Sequence, residues 1–226
     1  MNDLTAIIPV KKNSNRLPNK NILPFGDTNL LVHKIKQLKQ VEEIDRIVVS
    51  SDSEEMLAIG IDEGVSSVKR PDEFANESRP FGEFIVYLCN ILEGTHFMWA
   101  CATSPLVEPP LYRKACHLYF QKLKEGYDSL ITVQKYQHYL LDEKGPLNFE
   151  VGLNHKNSEY LPIYHFFTNG INIAPKQRMK EWHYNFGTNA YRLEIDKRSS
   201  VDIDDVYDLE CAKAWLNTPP PPPPPQ

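Results

Sequence analysis

The sequence predicts an α/β fold in which a mainly parallel sheet is flanked by helices. Short apolar runs rich in β-branched residues recur along the chain, and runs of this kind are typical of buried strands. Segments with helical spacing lie between them. With 226 residues, of which 41% are hydrophobic, the chain is long enough to bury the core of one domain.

The predicted elements follow one another in an alternating order. The predicted strands cover residues 5–10, 46–52, 96–102, 129–133, 170–174 and 190–195. The predicted helices cover residues 30–40, 53–64, 81–94 and 109–126, the second with a serine cap and a glycine stop and the last with prolines at its start. Such alternation implies right-handed crossovers and a parallel sheet. Ligands collect beyond the carboxyl ends of strands in these sheets, so we expect the functional residues there.

Two segments depart from this pattern. Between Gln134 and Ile163 the sequence loses clear periodicity and is rich in Tyr, His and Asn. We therefore predict an arm or insertion at 134–168 within a domain of residues 1–217. Residues 218–226 include seven consecutive prolines, which form neither helix nor sheet. We interpret them as a polyproline II tail, with docking to a proline-binding module as the alternative.

Composition excludes several classes of protein. A formal net charge of -5 argues against a general nucleic-acid or membrane-surface binder, because those proteins need a broad basic face. Cys89, Cys101, Cys116 and Cys211 are widely spaced, so neither a zinc site nor a disulfide framework is indicated. We expect a reduced, cytoplasmic protein. No apolar run approaches the ~20 residues of a membrane span, and no secretion signal is recognisable.

The first predicted strand is followed by a basic loop, KKNSNRLPNKN at residues 11–21. Its cations, amides and hydroxyl supply the charge-assisted donors that phosphate oxygens require, so the loop suits a triphosphate. The chain lacks GxxxxGK[ST] and GxGxxG, which argues against a P-loop NTPase and a dinucleotide-binding dehydrogenase. By composition alone the loop is equally compatible with a solvated basic turn.

A pair of carboxylates lies near the other end of the chain, in VDID at residues 201–204. Alternate side chains of an extended segment face the same way, so Asp202 and Asp204 are expected on one side and the valine and isoleucine toward the core. Two such carboxylates suit Mg²⁺. Asp205 is predicted at the start of the last helix. The alternative is that all these aspartates are helix caps and surface acids. A cationic loop and a carboxylate pair are complementary halves of a nucleotide site.

The segment IIPVKKNSNRLPNKN at 7–21 resembles the signature loop, usually IIPARGGSKRLPGKN, of CMP-sugar synthetases that act on sialic acid and related nonulosonic acids. Further similar motifs follow in order: VVSSD, RPDEFAN, TSPL, NG and VDID at 48–52, 70–76, 103–106, 169–170 and 201–204. Because the series spans most of the chain, the chain is identified as a member of the CMP-sialic acid cytidylyltransferase family. The resemblance implies a Rossmann-like nucleotidyltransferase fold and a homodimer in which an irregular dimerisation arm completes the partner's sugar pocket.

The resemblance also implies an activity and its residues. The reaction is transfer of CMP from CTP to the anomeric hydroxyl of a sialic-acid-like sugar acid, with release of pyrophosphate, for cell-surface polysaccharide biosynthesis. The implied nucleotide-binding residues are Lys11, Ser14, Asn15, Lys20, Asn21 and Arg70, and the implied sugar-binding residues are Cys101, Thr103, Ser104 and Asn169. Asp202 and Asp204 are the implied Mg²⁺ ligands, and with Lys11 and Lys20 they form the implied catalytic set.

Several positions depart from the family pattern. Lys11 replaces the usual arginine of the loop, and Lys12 and Asn13 replace its glycines, so the bidentate fork and the permissive backbone are lost. The usual QPTSPLR is CATSPLV, which puts Cys101 and Val107 in place of glutamine and arginine. These departures predict an acceptor other than ordinary sialic acid, or reduced activity. The alternatives are a nucleotidyltransferase for a different sugar or NTP, and a catalytically weakened nucleotide-binding protein.

Overall fold

The computed structural model describes residues 3–14, 16–76 and 78–218. The predicted proline tail, apart from Thr218, lies outside these residues. The strands are β1 Leu4–Pro9, β2 Pro24–Phe25, β3 Thr28–Asn29, β4 Arg46–Ser51, β5 Ser66–Lys69, β6 His96–Trp99, β7 Ser129–Tyr136, β8 Leu141–Asp142, β9 Gly145–Pro146, β10 Tyr164–Pro175 and β11 Ala190–Glu194. The helices are α1 Leu30–Leu38, α2 Glu54–Asp62, α3 Asp72–Ala75, α4 Phe81–Ile91, α5 Pro109–Lys124, α6 Lys176–Trp182 and α7 Val206–Leu216, with short 3-10 turns at Lys20–Ile22 and Ser158–Tyr160.

A seven-stranded sheet in the order β11-β7-β10-β6-β1-β4-β5 forms the centre of the fold. The pairs β1 with β4, β1 with β6, β4 with β5 and β11 with β7 are parallel, whereas β10 runs antiparallel to both β6 and β7. The predicted α/β fold with a mainly parallel sheet is therefore confirmed. The carboxyl ends of β1, β4, β6 and β7 consequently lie along one edge.

Local signals explain where the helices begin and end. The Asn29 side chain caps α1 by accepting a hydrogen bond from Val32 N at 2.9 Å, and Ser53 caps α2 in the same way. Gly64, at φ 69°, follows α2, as the predicted glycine stop requires. The predicted helices are all present, and none of their ends differs from the prediction by more than three residues.

The predicted arm is smaller than 134–168. Residues 134–136 extend β7 and residues 164–168 belong to β10, where the two strands pair. The sequence pattern hides this pairing because the register shifts between Phe167 and Asn172, with Asn169 in the left-handed region at φ 54°. The irregular segment is 137–163, which contains the β8–β9 hairpin and a 3-10 turn. The predicted strand at 96–102 is shorter too, since β6 ends at Trp99.

Three apolar clusters hold the layers together. The largest fills one face of the sheet and includes Ile8, Ile35 and Tyr112, from β1, α1 and α5. A second cluster packs α4 and α6 against the opposite face. In the third, Leu17 of the basic loop packs with Ile203 and with Leu209 of α7. Among the described residues, no helix combines the length and the apolar character needed to cross a membrane.

Candidate active site at the carboxyl edge of the sheet

The basic loop and the aspartate segment meet at the carboxyl edge of the sheet, although they are far apart in sequence. The third apolar cluster brings them together, because Leu17 and Ile203 are both buried in it. Burying these two side chains in one cluster brings the segments close enough for Lys20 and Asp204 to form an ion pair. Ile203 is buried in the cluster and Val201 packs against it, as the alternation of VDID predicts. That Asp202 and Asp204 share one side stays a prediction.

The Asp204 carboxylate forms ion pairs with two cations of the basic loop. Its Oδ1 lies 3.2 Å from Lys20 Nζ and 2.8 Å from Arg16 Nη2. The Lys20 side chain is 14% exposed and the Arg16 side chain is 66% exposed. The Arg16 pair lies in water and is worth at most ~1 kcal/mol, so a competing cation or anion can break it readily. Arg16 is one of the cations of the basic loop but was not among the predicted site residues, since its partner lies at the other end of the chain.

Asp202 has a different environment. Its Oδ1 is buried and has no hydrogen-bond partner among the described residues. Burial raises the pKa of Asp202 to about 6, and the nearby charges of Asp204 and Asp208 act in the same direction. The Thr103 side chain and the Lys20 ammonium oppose this rise in pKa without cancelling it. A bound cation would therefore offset the unfavourable burial of this negative charge.

The two carboxylates fit a hard divalent cation. In the described ranges, no group of three or more His, Cys, Asp or Glu side chains is arranged so that it could hold a metal ion. Mg²⁺ is usually held by one or two carboxylates together with water and substrate phosphates. An unpartnered buried carboxylate oxygen on Asp202 beside a second carboxylate on Asp204 matches that preference.

The remaining aspartates of this segment, Asp205 and Asp208, cap the N-terminus of the helix that follows. Asp205 is the N-cap of α7, as predicted, and accepts a hydrogen bond from Asp208 N at 3.0 Å. The Asp208 carboxylate in turn accepts from the backbone N–H groups of Asp204 at 2.9 Å and Asp205 at 3.2 Å. This reciprocal capping box fixes the turn into α7. It holds the Asp202–Asp204 backbone in place directly ahead of the helix.

The basic loop is shaped by its own polar residues. Asn21 is buried and its Nδ2 donates to the Lys11 carbonyl at 3.2 Å. The backbone N–H of Lys12 donates to Asp52 Oδ1 at 2.8 Å, which ties the loop to the end of β4. Asn19, at φ 53°, starts the 3-10 turn that carries Lys20. Lys11 and Ser14 are half-buried, and Asn15 lies outside the described residues. Nucleotide binding by these residues remains a prediction.

Arg70 follows β5 at the same edge of the sheet. Its backbone N–H donates to the Ser51 carbonyl at 2.7 Å. Its guanidinium lies 4.0 Å from the centroid of the Phe84 ring and donates to the Phe74 carbonyl. The cation is therefore held against aromatic side chains near the end of β4.

The predicted sugar-binding residues are joined to the aspartate segment through Thr103. Most of them belong to the loop that leaves β6, residues 101–107. The Cys101 thiol is buried, and Asn169 Nδ2 donates to its sulfur at 3.6 Å. The Thr103 carbonyl accepts from Ile203 N at 2.8 Å, which joins the loop to the aspartate segment. Burial raises the pKa of Cys101 to about 12, so this thiol stays protonated and is a packing group. Ser104 is 1% exposed and presents no surface.

Sequence reasoning missed Lys34, which is fully buried beneath this loop. The signal was present in LLVHKIKQL, where helical spacing puts Lys34 between Leu30 and Leu38 on the apolar face of α1. A lysine at such a position is unusual, because lysine is almost never fully buried without a partner.

Known proteins share the sequence pattern and the fold. A family model described as cytidylyltransferase matches residues 5–212. The chain is 31% identical over 216 residues to an N-acylneuraminate cytidylyltransferase of Escherichia coli, covering 92% of this chain and 51% of the relative. It thus spans about half the length of that relative. It is 26% identical over 234 residues to a pseudaminic acid cytidylyltransferase of Campylobacter jejuni, covering 92% of this chain and 94% of the relative.

Solved structures agree at the level of the fold. A CMP:2-keto-3-deoxy-manno-octonic acid synthetase complexed with CTP aligns with a TM-score of 0.68 at 12% identity, covering 95% of this chain and 98% of that chain. A cytidylyltransferase of Leptospira borgpetersenii aligns with a TM-score of 0.64 at 15% identity, covering 95% and 86%. At such identities the likeness establishes the nucleotidyltransferase fold alone.

Proposed function

This chain belongs to the cytidylyltransferase family, and from that membership we propose that it transfers CMP from CTP to a sialic-acid-like sugar acid. The anomeric hydroxyl of the sugar attacks the α-phosphorus in line and pyrophosphate leaves. The observation that carries this proposal is the meeting of Lys20 with Asp204, beside the buried Asp202. That arrangement offers a cation for phosphate and two carboxylates for a metal at one point.

Residues of the basic loop bind the triphosphate and stabilise the leaving group. Negative charge builds on the bridging oxygen as pyrophosphate leaves, and Lys20 and Lys11 offset it from the β- and γ-phosphate side. Lys20 is held in place by Asp204, so its ammonium needs little reorganisation. Ser14, Asn21 and Arg70 complete the proposed nucleotide contacts. Lys11, which stands where the family pattern has an arginine, serves as a compact point charge.

Asp202 and Asp204 would hold Mg²⁺. When bound, the ion supplies Lewis-acid polarisation of the α-phosphate and compensates the charge of the two carboxylates. The unpartnered Oδ1 of Asp202 supports this role. The proton of the attacking hydroxyl passes to Asp204 or to solvent water, so the scheme needs no further general base.

The acceptor would lie against the 101–107 loop and Asn169. Cys101 and Val107 replace two polar residues of the family pattern, and both are buried. An acceptor that differs from N-acetylneuraminic acid is therefore the second candidate. Pseudaminic acid, which the name of the Campylobacter jejuni relative gives as its substrate, is one such acceptor.

We also propose that the protein is a cytoplasmic homodimer whose arm, residues 137–163, packs on the partner. Large apolar side chains of this segment are exposed, namely Leu141, Leu147, Val151, Leu153 and Tyr160. Exposed apolar side chains concentrated in one segment are typical of an interface.

The test is a screen for pyrophosphate release. CTP and each other NTP are combined with N-acetylneuraminic acid, pseudaminic acid and a Kdo-type sugar in millimolar Mg²⁺. Release with CTP and one nine-carbon acid is expected, and release with a different NTP or only a Kdo-type sugar would reassign the substrates. CTP binding without release for any acceptor would refute the enzymatic function and leave a nucleotide-binding protein.

A further inference from the structure

Lys34 lies beneath the 101–107 loop and is 0% exposed. Its Nζ donates to the Ser104 carbonyl at 2.9 Å and lies 2.7 Å from the Tyr112 hydroxyl. The ammonium is also 5.0 Å from the centroid of the Tyr112 ring. The lysine thus connects the middle of α1 to the loop and to α5.

Other side chains of α1 contact the same loop. Gln37 Nε2 donates to the Pro105 carbonyl at 2.7 Å, and His33 Nε2 lies 3.1 Å from the same oxygen. Three residues of one helix therefore hold two successive carbonyls of the loop. Such a concentration of side-chain donors fixes the path of a backbone that has little regular structure of its own.

The position of Lys34 is costly for the fold. No ion pair joins Lys34 to an acidic side chain in the part of the chain that the structure describes, since its contacts are a carbonyl and a phenol. Burial lowers the pKa of Lys34 to about 7. Burying an ammonium group without an acidic partner is unfavourable, because no opposite charge offsets the hydration that the group loses. Stability alone does not explain the lysine.

The loop that Lys34 holds is a wall of the candidate site. Ser104 follows Thr103, which has two links to the aspartate segment. The Thr103 side chain lowers the pKa of Asp202, and the Thr103 carbonyl accepts a hydrogen bond from Ile203 N. At its start, the loop carries Cys101 against Asn169. A shift of the Ser104 carbonyl would move this wall relative to Asp202.

We propose that Lys34 is a positioning residue that fixes the 101–107 loop through the Ser104 carbonyl and so sets the acceptor side of the active site. The functional part of this inference rests on the proposed transferase activity, whereas the fixing of the loop does not. The basic loop that binds the nucleotide has no contact with Lys34 among the bonds of the described residues. Acceptor binding and nucleotide binding should therefore respond differently when the lysine is replaced.

The test compares Lys34→Met with Lys36→Met. Both replacements remove one lysine from α1, but Lys36 is exposed and serves as the matched control. Hydrogen exchange measured by mass spectrometry on peptides covering the loop is expected to be about tenfold faster in Lys34→Met, the factor that corresponds to loss of one ordinary hydrogen bond. Lys36→Met should exchange like the wild type. Urea unfolding establishes that Lys34→Met is folded under the conditions of the exchange measurement.

Kinetics provide the second measurement. With the acceptor identified by the pyrophosphate screen, Lys34→Met should raise the KM for the sugar about tenfold while the KM for CTP stays within about twofold. Unchanged loop exchange would overturn the proposal, and so would an equal rise of both KM values. Exchange requires no turnover, so a wild type that is inactive with every acceptor would refute the proposed function and still leave the loop measurement decisive.

Discussion

Replacing Asp202 by asparagine tests two effects of this carboxylate separately, namely its effect on the free energy of unfolding and its role in metal binding and activity. Asparagine is nearly isosteric with aspartate but carries no charge at neutral pH. The variant should gain stability in the absence of metal and lose the ability to be stabilised by metal. Activity and stability should therefore change in opposite directions.

The magnitude follows from the pKa of Asp202, which is raised from 3.8 to about 6 because the group is buried. This is about two pKa units, and at ~1.4 kcal/mol per unit the ionised carboxylate costs the fold roughly 3 kcal/mol at neutral pH. The folded protein binds more protons than the unfolded chain between these two pKa values. The free energy of unfolding therefore falls as the pH rises from about 4 to about 6, and it should not show this fall in Asp202→Asn.

The assay is urea unfolding with chelator and with millimolar Mg²⁺, at neutral pH and near pH ~4. With chelator at neutral pH the variant should be more stable by ~1–3 kcal/mol, since its own unpaired amide offsets part of the gain. With Mg²⁺ only the wild type should gain further stability, as expected for a ligand that binds the folded state. A variant less stable than the wild type, or one that still gains stability from Mg²⁺, would refute this account of Asp202.

Four further predictions concern the same region. Lys20→Met should lower kcat by about 10²–10³-fold, the loss of one preorganised donor, and equal rates would remove Lys20 from the site. Arg16→Gln should tighten binding of Mg²⁺ alone by up to about fivefold in calorimetric titration, because an exposed pair of ~1 kcal/mol no longer competes for Asp204; weaker binding would contradict this. Asp205→Ala should destabilise the fold in urea by ~1 kcal/mol through loss of the helix cap, and no change would argue against the capping box. The pKa of Lys34 in the folded protein is about 7, below the ordinary value of 10.5, so between these pH values the unfolded chain binds one more proton than the folded protein. The free energy of unfolding of the wild type should therefore rise with pH above about 7, and that of Lys34→Met should not show this rise.

The sequence was sufficient for the features that depend on local patterns. Parallel strands and their helices follow from apolar periodicity and caps such as Ser53. The approach of the basic loop to the aspartates follows from the rule that loops gather at the carboxyl edge of a parallel sheet. The alternation of VDID predicted that Ile203 enters the core, and the apolar cluster around Leu17 shows what draws the two segments together.

Features that depend on distant partners were not accessible from the sequence. The antiparallel pairing of 164–168 with β7 is hidden by the bulge at Asn169, so these residues were assigned to the arm. The pair of Arg16 with Asp204 joins residues from opposite ends of the chain. Lys34 stands on an apolar helix face, but only the folded chain shows that a loop carbonyl lies within its reach.

The two aspartates of the candidate site have different electrostatic environments. Asp204 is already compensated by Lys20 and Arg16, whereas Asp202 is buried with an oxygen that has no partner among the described residues. A metal ion bound by both would relieve the electrostatic cost at Asp202 and would compete with the exposed Arg16 for Asp204. Arg16 would then be available to the phosphates that accompany the metal, while Lys20, which is much less exposed, keeps its place. Metal and triphosphate would then bind with positive cooperativity, because each supplies the charge that the other leaves uncompensated. Calorimetric titration with CTP should therefore give a lower Kd in Mg²⁺ than in chelator, and equal values would contradict this.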